Sequence, residues 1–126
     1  MARPSTKDLT ERELEVMHVF WKGGEMTAAD ARDRLANAGL DRAYTTVATL
    51  VRILQEKGFL QQMNSERPFR YRPSRSYEDV SRRLLGEVIQ RVFRGSREQL
   101  LLRLVEHRKL TATERALLRE ILGESQ

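Results

Sequence analysis

One segment constrains the fold more than any other: residues 41–73, DRAYTTVATLVRILQEKGFLQQMNSERPFRYRP. Here a helical pattern of apolar residues leads directly into two short strand patterns. Lys57 and Gly58 predict the end of the helix, because a cation suits the last turn and glycine suits the position just beyond it. Phe59–Met63 and Phe69–Arg72 are predicted to form strands joined by a polar turn. The segment therefore predicts a helix followed by a β-hairpin.

The predicted helix has two different faces when its residues are placed at intervals of about 100°. Residues typical of a core lie on one side: Ala43, Thr46, Val47, Leu50, Ile53 and Leu54. Small, hydroxylated or cationic residues lie on the other: Tyr44, Thr45, Ala48, Arg52 and Gln55, with Thr49 at the border. Such a face suits the major groove of DNA, because short side chains allow close approach, hydroxyls bind phosphates or base edges, and arginine binds guanine. An ordinary solvated helix face is the alternative.

The predicted second strand alternates aromatic and basic residues. Phe69 and Tyr71 alternate with Arg70 and Arg72, so the rings can pack inward while both guanidinium groups point outward. With Arg67 in the turn, the hairpin has a basic outer face. Residues 41–75 carry seven basic and three acidic side chains, whereas residues 1–40 carry six and seven. A localised positive patch favours a polyanion through counterion release, although a charge surplus also serves solubility.

Two further helices are predicted upstream. Thr10 with Glu13, and Thr27 with Asp30, have the spacing of a capping box, which marks the start of a helix. The order helix, helix, helix, hairpin is that of the winged helix-turn-helix unit. We therefore predict a mainly α fold with a winged helix-turn-helix domain, three helices plus a β-hairpin wing, at residues 1–75.

Residues 76–126 are predicted to form a helical dimerisation domain. In the first predicted helix of this segment, between Tyr77 and Arg94, the apolar residues spread over more than half of the helix circumference. The segment Leu100–Val105 is apolar on nearly all sides. Three helices in about 50 residues are too few for a self-sufficient core, which favours a symmetric dimer of interlocked arms. Packing on the winged helix of the same chain is the alternative. The predicted interface residues are Val80, Leu84, Leu85, Val88, Ile89, Val92, Leu100, Leu101, Leu104, Leu117, Leu118 and Ile121.

Composition argues against several other classes of protein. The chain has no Cys, which excludes disulfides and thiolate ligands and indicates a reducing compartment. His18 and His107 have no ligand pattern near them, so neither a metal site nor a cofactor is predicted. The sequence has no glycine-rich phosphate loop or catalytic constellation, and an enzyme is not expected. It also lacks an apolar run of about 20 residues and a signal-peptide pattern, so we expect a soluble, cytoplasmic protein without membrane insertion.

Several motifs together resemble one family of regulators. The chain contains, in order, LTERELEVMHVFW, AYTTVATLVRILQEKGFL, FRYRP, VFRGSREQLLLRLVE and LTATERALLREIL over residues 9–122. This pattern resembles the penicillinase and methicillin-resistance repressor family (BlaI/MecI/CopY). The resemblance implies a homodimeric winged-helix transcriptional repressor bound to an inverted-repeat operator in double-stranded DNA. It also implies that the third helix lies in the major groove, the wing on the DNA backbone and the C-terminal helices in the dimer.

The candidate DNA-binding residues fall into two groups. Thr45, Thr46 and Arg52 are predicted in the major groove, and Thr46, which lies nearer the core side, has a phosphate as its alternative partner. The predicted backbone contacts are Arg42, Tyr44, Thr49, Arg67, Arg70 and Arg72. A winged helix that docks on protein rather than DNA is the alternative function, but such a domain needs no clustered arginines.

The family's induction chemistries are not reproduced in this sequence. The β-lactam-responsive members are cut at an Asn-Phe pair in the dimerisation arm, and the resemblance implies a membrane-linked sensor protease as a further partner. Arg103 and Leu104 stand at the aligned positions and are the candidate proteolytic switch. A protease that selects Asn-Phe is not expected to accept Arg-Leu unchanged. The copper-responsive members use a Cys-rich tail, and this chain contains no Cys.

Overall fold

The computed structural model describes residues 8–123, in which six helices and three short strands are present. The side chain of His107 lies outside this description. Along the chain the elements are α1 (Glu11–Gly23), β1 (Met26–Thr27), α2 (Ala28–Asn37), α3 (Tyr44–Glu56), β2 (Leu60–Gln62), β3 (Arg70–Pro73), α4 (Tyr77–Arg91), α5 (Arg97–His107) and α6 (Ala112–Ile121). The order confirms the predicted mainly α fold in which three helices precede a hairpin wing. None of the helices within residues 8–123 is both long enough and apolar enough to span a bilayer.

Capping boxes begin α1, α2 and α6. In each of them a threonine hydroxyl accepts a hydrogen bond from the backbone N–H three residues on, and the acidic side chain there accepts one from the threonine N–H. These reciprocal bonds satisfy two donors that the first turn otherwise leaves unpaired. In contrast, α3 follows Ala43, which forms no side-chain cap. Other contacts must therefore hold the start of α3.

The three strands form one small antiparallel sheet in the order β1-β3-β2. Tyr71 in the central strand pairs with Met26 on one side and Gln62 on the other. The sheet thus connects the hairpin to the residues that lead into α2. The alternation predicted for β3 is present, since Tyr71 is buried while Arg70 and Arg72 are exposed.

The core of the N-terminal unit takes one face from each helix and from the sheet. Its fully buried side chains include Val16, Met17, Phe20, Met26, Ala31, Leu35, Val47, Val51, Leu54, Phe59 and Leu60. On α3 the buried positions are Val47, Val51 and Leu54, whereas Thr46 is exposed. The assignment of Thr46 to the inner face was therefore wrong. The buried stripe of α3 is formed by Val47, Val51 and Leu54, which are spaced four and three residues apart, and Thr46 lies to one side of it.

The chain divides into two compact units, and the division lies between Ser81 and Arg82, inside α4. The predicted boundary after residue 75 precedes it. The first turn of α4 belongs to the N-terminal unit, where the Tyr77 ring lies edge-on to Trp21 with centroids 5.3 Å apart. Val80 is 2% exposed in this unit. Its predicted place in a dimer interface is therefore corrected to a core position, because a side chain already buried in one unit has no surface left for a partner.

The C-terminal unit exposes apolar side chains along all of its helices. No residue between 82 and 123 whose side chain is described is buried. The large exposed apolar residues are Leu85, Val88, Val92, Leu101, Leu102, Leu104, Val105, Leu117, Leu118, Ile121 and Leu122. Leu84, Ile89 and Leu100 are partly exposed. A unit of this kind lacks the apolar burial that stabilises an isolated fold.

Candidate nucleic-acid interface

The outer side of α3 presents the short polar side chains predicted for a DNA groove. Thr45, Thr46, Thr49 and Arg52 are all exposed, and Tyr44 is 51% exposed. This side lies opposite the buried stripe of the helix. Threonine side chains are short, so a groove floor can approach the helix backbone closely along this face.

Arg52 pairs with Glu56, one helical turn further along α3. Its guanidinium Nη1 lies 3.0 Å from Glu56 Oε2, and the two side chains are 60% and 63% exposed. An exposed pair at this spacing contributes only about 0.3–0.5 kcal/mol to stability. The guanidinium can therefore exchange this carboxylate for a base edge or a phosphate at small cost. Glu56 was not among the residues predicted for the site, although its position four residues after Arg52 is a signal for such a pair.

A groove with a volume of about 780 Å³ lies between α3, the start of α2 and the hairpin. On the α3 side it is lined by Tyr44, Ala48, Thr49, Arg52 and Gln55, and on the hairpin side by Gln62, Arg67, Pro68, Phe69 and Tyr71. Four of the predicted DNA contacts, Tyr44, Thr49, Arg52 and Arg67, therefore meet across one concave surface, whereas Thr45, Thr46, Arg70 and Arg72 do not line it. Gln55 was placed on the outer face but not among the candidate contacts, and the structure brings it into the same groove.

Aromatic rings shape the hairpin side of this groove. The Arg67 guanidinium lies 5.0 Å from the centre of the Phe69 ring, a distance suited to a cation–π contact. Burial raises the pKa of the Tyr71 hydroxyl, the nearby Tyr44 raises it further, and Arg67 lowers it. Tyr71 therefore stays neutral at physiological pH, and its hydroxyl keeps the proton that it can donate to a ligand.

Asn64 holds the turn of the wing. Its side-chain oxygen accepts a hydrogen bond of 2.8 Å from the Arg70 N–H, and its side-chain nitrogen donates to the carbonyl oxygens of Glu66 and Pro68 at 2.9 and 3.2 Å. One amide side chain thus connects both ends of the turn and fixes the position of Arg67 between them. The turn was predicted from the sequence, but no role was predicted for Asn64.

The three wing arginines have different surroundings. Arg67 lies over an aromatic ring, as described above. Arg70 Nε donates to Glu25 Oε2 at 2.8 Å, and these side chains are 46% and 42% exposed. Arg72 is exposed, and no carboxylate of the described residues lies within 4.0 Å of it. Arg72 is therefore the wing cation with the fewest competing contacts.

Two cations next to α3 are bound to α1. Arg42 Nε and Nη2 form three hydrogen bonds of 2.9 to 3.2 Å with the Glu15 carboxylate, and the two side chains are 21% and 19% exposed. Lys57 Nζ lies 2.9 Å from Glu13 Oε1, with side chains 18% and 5% exposed. Arg42, which was predicted to contact the DNA backbone, thus has its Nε and Nη2 bound to a half-buried carboxylate of α1.

The fold and this surface define a winged helix-turn-helix protein with a basic helix-and-wing face. No group of His, Asp or Glu among residues 8–123 is arranged to hold a metal ion. The sequence profile of the penicillinase repressor family matches residues 9–124. The chain therefore belongs to the penicillinase repressor family, which consists of transcriptional repressors and not enzymes.

Individual relatives cover nearly the whole chain. The methicillin resistance regulatory protein MecI of Mammaliicoccus sciuri is 26% identical over 121 residues, which cover 94% of this chain and 96% of MecI. The transcriptional regulator BlaI of Mycobacterium tuberculosis (strain CDC 1551 / Oshkosh) is 30% identical over 117 residues, which cover 92% of this chain and 83% of BlaI. The solution structure of the DNA-binding domain of the repressor BlaI has a TM-score of 0.51 and 27% identity, covering 60% of this chain and 90% of that domain. These matches confirm the resemblance identified from the sequence motifs.

Proposed function

We propose that this protein is a homodimeric transcriptional repressor that binds an inverted-repeat operator in double-stranded DNA. The observation that carries this proposal is the concave surface on which Tyr44, Thr49 and Arg52 of α3 meet Arg67 of the wing. Membership of a repressor family and the likeness to the DNA-binding domain of BlaI support it. A repressor acts on the chromosome, so the proposal includes a cytoplasmic location.

In this proposal α3 is the recognition helix and enters the major groove, which has the width of an α-helix. Thr45 and Arg52 face the base edges, Thr46 reaches a base edge or a phosphate from the first turn, and Thr49 contacts the DNA backbone. Arg67 and Arg72 bind phosphates through the wing, with Tyr44 at the start of the helix. Arg70 joins them when it exchanges Glu25 for a phosphate, which costs little because that pair is exposed.

The C-terminal unit supplies the dimer in this proposal. Its described side chains include none that is buried, and eleven large apolar residues are exposed. Two copies related by a twofold axis can bury these surfaces against each other. A twofold dimer then presents two recognition helices to two half-sites of opposite orientation, about 34–36 Å or a multiple of it apart. Inverted symmetry in the operator follows from symmetry in the protein.

Selection from a pool of randomised DNA duplexes tests the whole proposal. The full-length protein is expected to enrich a sequence with inverted-repeat symmetry, and sedimentation of the complex should give two chains per duplex. Binding should weaken steeply as salt concentration rises, because phosphate neutralisation releases counterions. A protein that enriches no sequence at any salt concentration would contradict operator recognition and favour the alternative of a winged helix that docks on protein.

A further inference from the structure

We propose that α1 orients the recognition helix through two ion pairs, Glu15–Arg42 and Glu13–Lys57, which we call the α1–α3 ties. Arg42 and Lys57 then act in DNA binding as positioning residues and not as phosphate contacts. The inference rests on the proposed function, because the orientation of α3 matters to affinity only if this helix reads DNA.

The first tie holds the start of the recognition helix. Arg42 lies two residues before Tyr44, the first residue of α3. Its three hydrogen bonds to Glu15 use both the Nε and an Nη of the guanidinium, which fixes the plane of the group as well as its distance from α1. Because Ala43 provides no side-chain cap, the bond from Arg42 to α1 takes the place of a local anchor.

The second tie holds the end of the same helix. Lys57 is the residue directly after α3, and its Nζ donates to Glu13 Oε1 at 2.9 Å and to the Asp8 carbonyl oxygen at 2.8 Å. Glu13 is 4% exposed and also accepts a hydrogen bond from the Thr10 N–H through the same oxygen. A buried carboxylate needs a partner to offset its lost hydration. Glu13 therefore favours the arrangement in which Lys57 stays in place.

Together the two ties add directional restraints on the tilt of α3 to its apolar packing. The fully buried residues of α3 are Val47, Val51 and Leu54, and apolar burial is not directional. A helix held at one end can still pivot about that end, whereas a helix held at both ends keeps its tilt. Directional bonds at both ends of α3 therefore set the angle at which the recognition helix meets the groove.

This arrangement predicts a particular pattern of DNA binding. A cation that contacts a phosphate contributes equally to all sequences and adds about one unit to the salt dependence. A residue that orients the recognition helix contributes mainly to the correct sequence, because only base contacts depend on the helix angle. Loss of a tie should therefore lower the ratio of specific to non-specific affinity and leave the salt dependence unchanged.

The experiment uses the full-length protein and two duplexes of about 30 base pairs, roughly three helical turns. One is the duplex most strongly enriched by the wild-type protein from a randomised pool, and the other is a scrambled version of it. The variants are Glu15→Gln, Arg42→Gln and the double variant, and Arg72→Gln is the matched control, since Arg72 is an exposed wing cation. Affinities are measured at several salt concentrations, and thermal unfolding identifies any variant that is not folded.

Glu15→Gln and Arg42→Gln are each expected to weaken binding to the enriched duplex about three- to tenfold per half-site, which is below the full value of one charged hydrogen bond. Binding to the scrambled duplex and the salt dependence should hardly change. The double variant should be no weaker than the worse single variant, since both remove the same tie. Arg72→Gln should weaken binding to both duplexes equally and reduce the salt dependence by about one unit per half-site.

Opposite results would overturn the inference. If Arg42 were a phosphate contact restrained by Glu15, Glu15→Gln would strengthen binding to both duplexes, and Arg42→Gln would behave like Arg72→Gln. Exchange of the two charges, Glu15→Arg with Arg42→Glu, should restore specific affinity if the tie acts by position, and failure to restore it in a folded protein would count against the inference. A wild-type protein that enriches no duplex would refute the proposed function itself, and the inference with it.

Discussion

Cutting the chain after Ser76 and after Ser81 is expected to give two fragments of different stability. Both fragments contain the three helices and the hairpin, but only the longer one keeps the first turn of α4. In that turn Val80 is 2% exposed, and Tyr77 lies edge-on to Trp21. The shorter fragment loses both contacts, and the cavity left by Val80 opens to solvent.

The size of the difference follows from these two side chains. Full burial of an apolar side chain of the size of valine to phenylalanine contributes about 1.5–3 kcal/mol, and valine lies at the lower end of this range. An edge-on aromatic pair adds about 0.5–1.5 kcal/mol. The fragment ending at Ser76 should therefore unfold with a free energy about 2–3 kcal/mol lower than the fragment ending at Ser81. For a domain of this size that corresponds to a melting temperature lower by roughly 10 °C or more.

Urea unfolding followed by the fluorescence of Trp21, the only tryptophan of the chain, measures the difference directly. In the longer fragment Val80→Ala should lose about 1.5 kcal/mol, the value of two buried methyl groups. Glu78→Ala, an exposed change in the same turn, should stay within about 0.5 kcal/mol of the wild type. Equal stabilities for the two fragments would refute the assignment of Val80 to the core of the N-terminal unit.

Four further outcomes are expected. The full chain should sediment as a dimer at micromolar concentration and Leu104→Asp should yield monomers, whereas a wild-type monomer would contradict the proposed role of the C-terminal unit. Arg52→Ala should cost about 1–3 kcal/mol per half-site and relax base preference at one position in binding titrations, and unchanged preference would remove Arg52 from the groove. Mass spectrometry of fragments from cells grown with and without a β-lactam should find no drug-dependent cut between Arg103 and Leu104, and such a cut would contradict the expectation that the sensor protease does not accept Arg-Leu in place of Asn-Phe. Because the folded pKa of Tyr71 is raised above 10.0, stability should fall as the pH rises from about 10 through the folded value, and Tyr71→Phe should abolish that part of the alkaline loss in unfolding titrations.

The C-terminal unit also bears on how a proteolytic switch could work in this chain. Leu104 is 57% exposed in the single chain, and Arg103 is exposed beside it. In the proposed dimer the apolar side chains of α5 are buried, so a protease would reach this bond only when the arm opens locally. The rate of cutting would then follow the population of the open state. Any protease that acts there must accept Arg-Leu in place of the Asn-Phe pair implied by the family resemblance.

The sequence by itself determined the features that depend on neighbouring residues. The capping boxes that begin α1 and α2 join residues three positions apart, so their partners could be read directly. The hairpin was predictable for the same reason, since a turn and two alternating strands are local patterns. The chemistry of the outer face of α3 followed from helical periodicity. Thr46 marks the limit of that method, because a helical wheel places a border residue only approximately.

Only the tertiary structure decided the contacts between distant residues. Arg42 and Glu15 are 27 positions apart and Lys57 and Glu13 are 44 apart, and nothing in the local pattern joins them. A basic residue next to a predicted recognition helix has the same sequence signature whether it binds a phosphate or a carboxylate of its own chain. Which of these two partners the basic residue binds depends on how closely α1 and α3 pack and on which carboxylate of the chain is shielded from solvent. The packing of α1 against α3 settles both, and because it places the Glu15 carboxylate against Arg42, we propose that Arg42 positions the recognition helix.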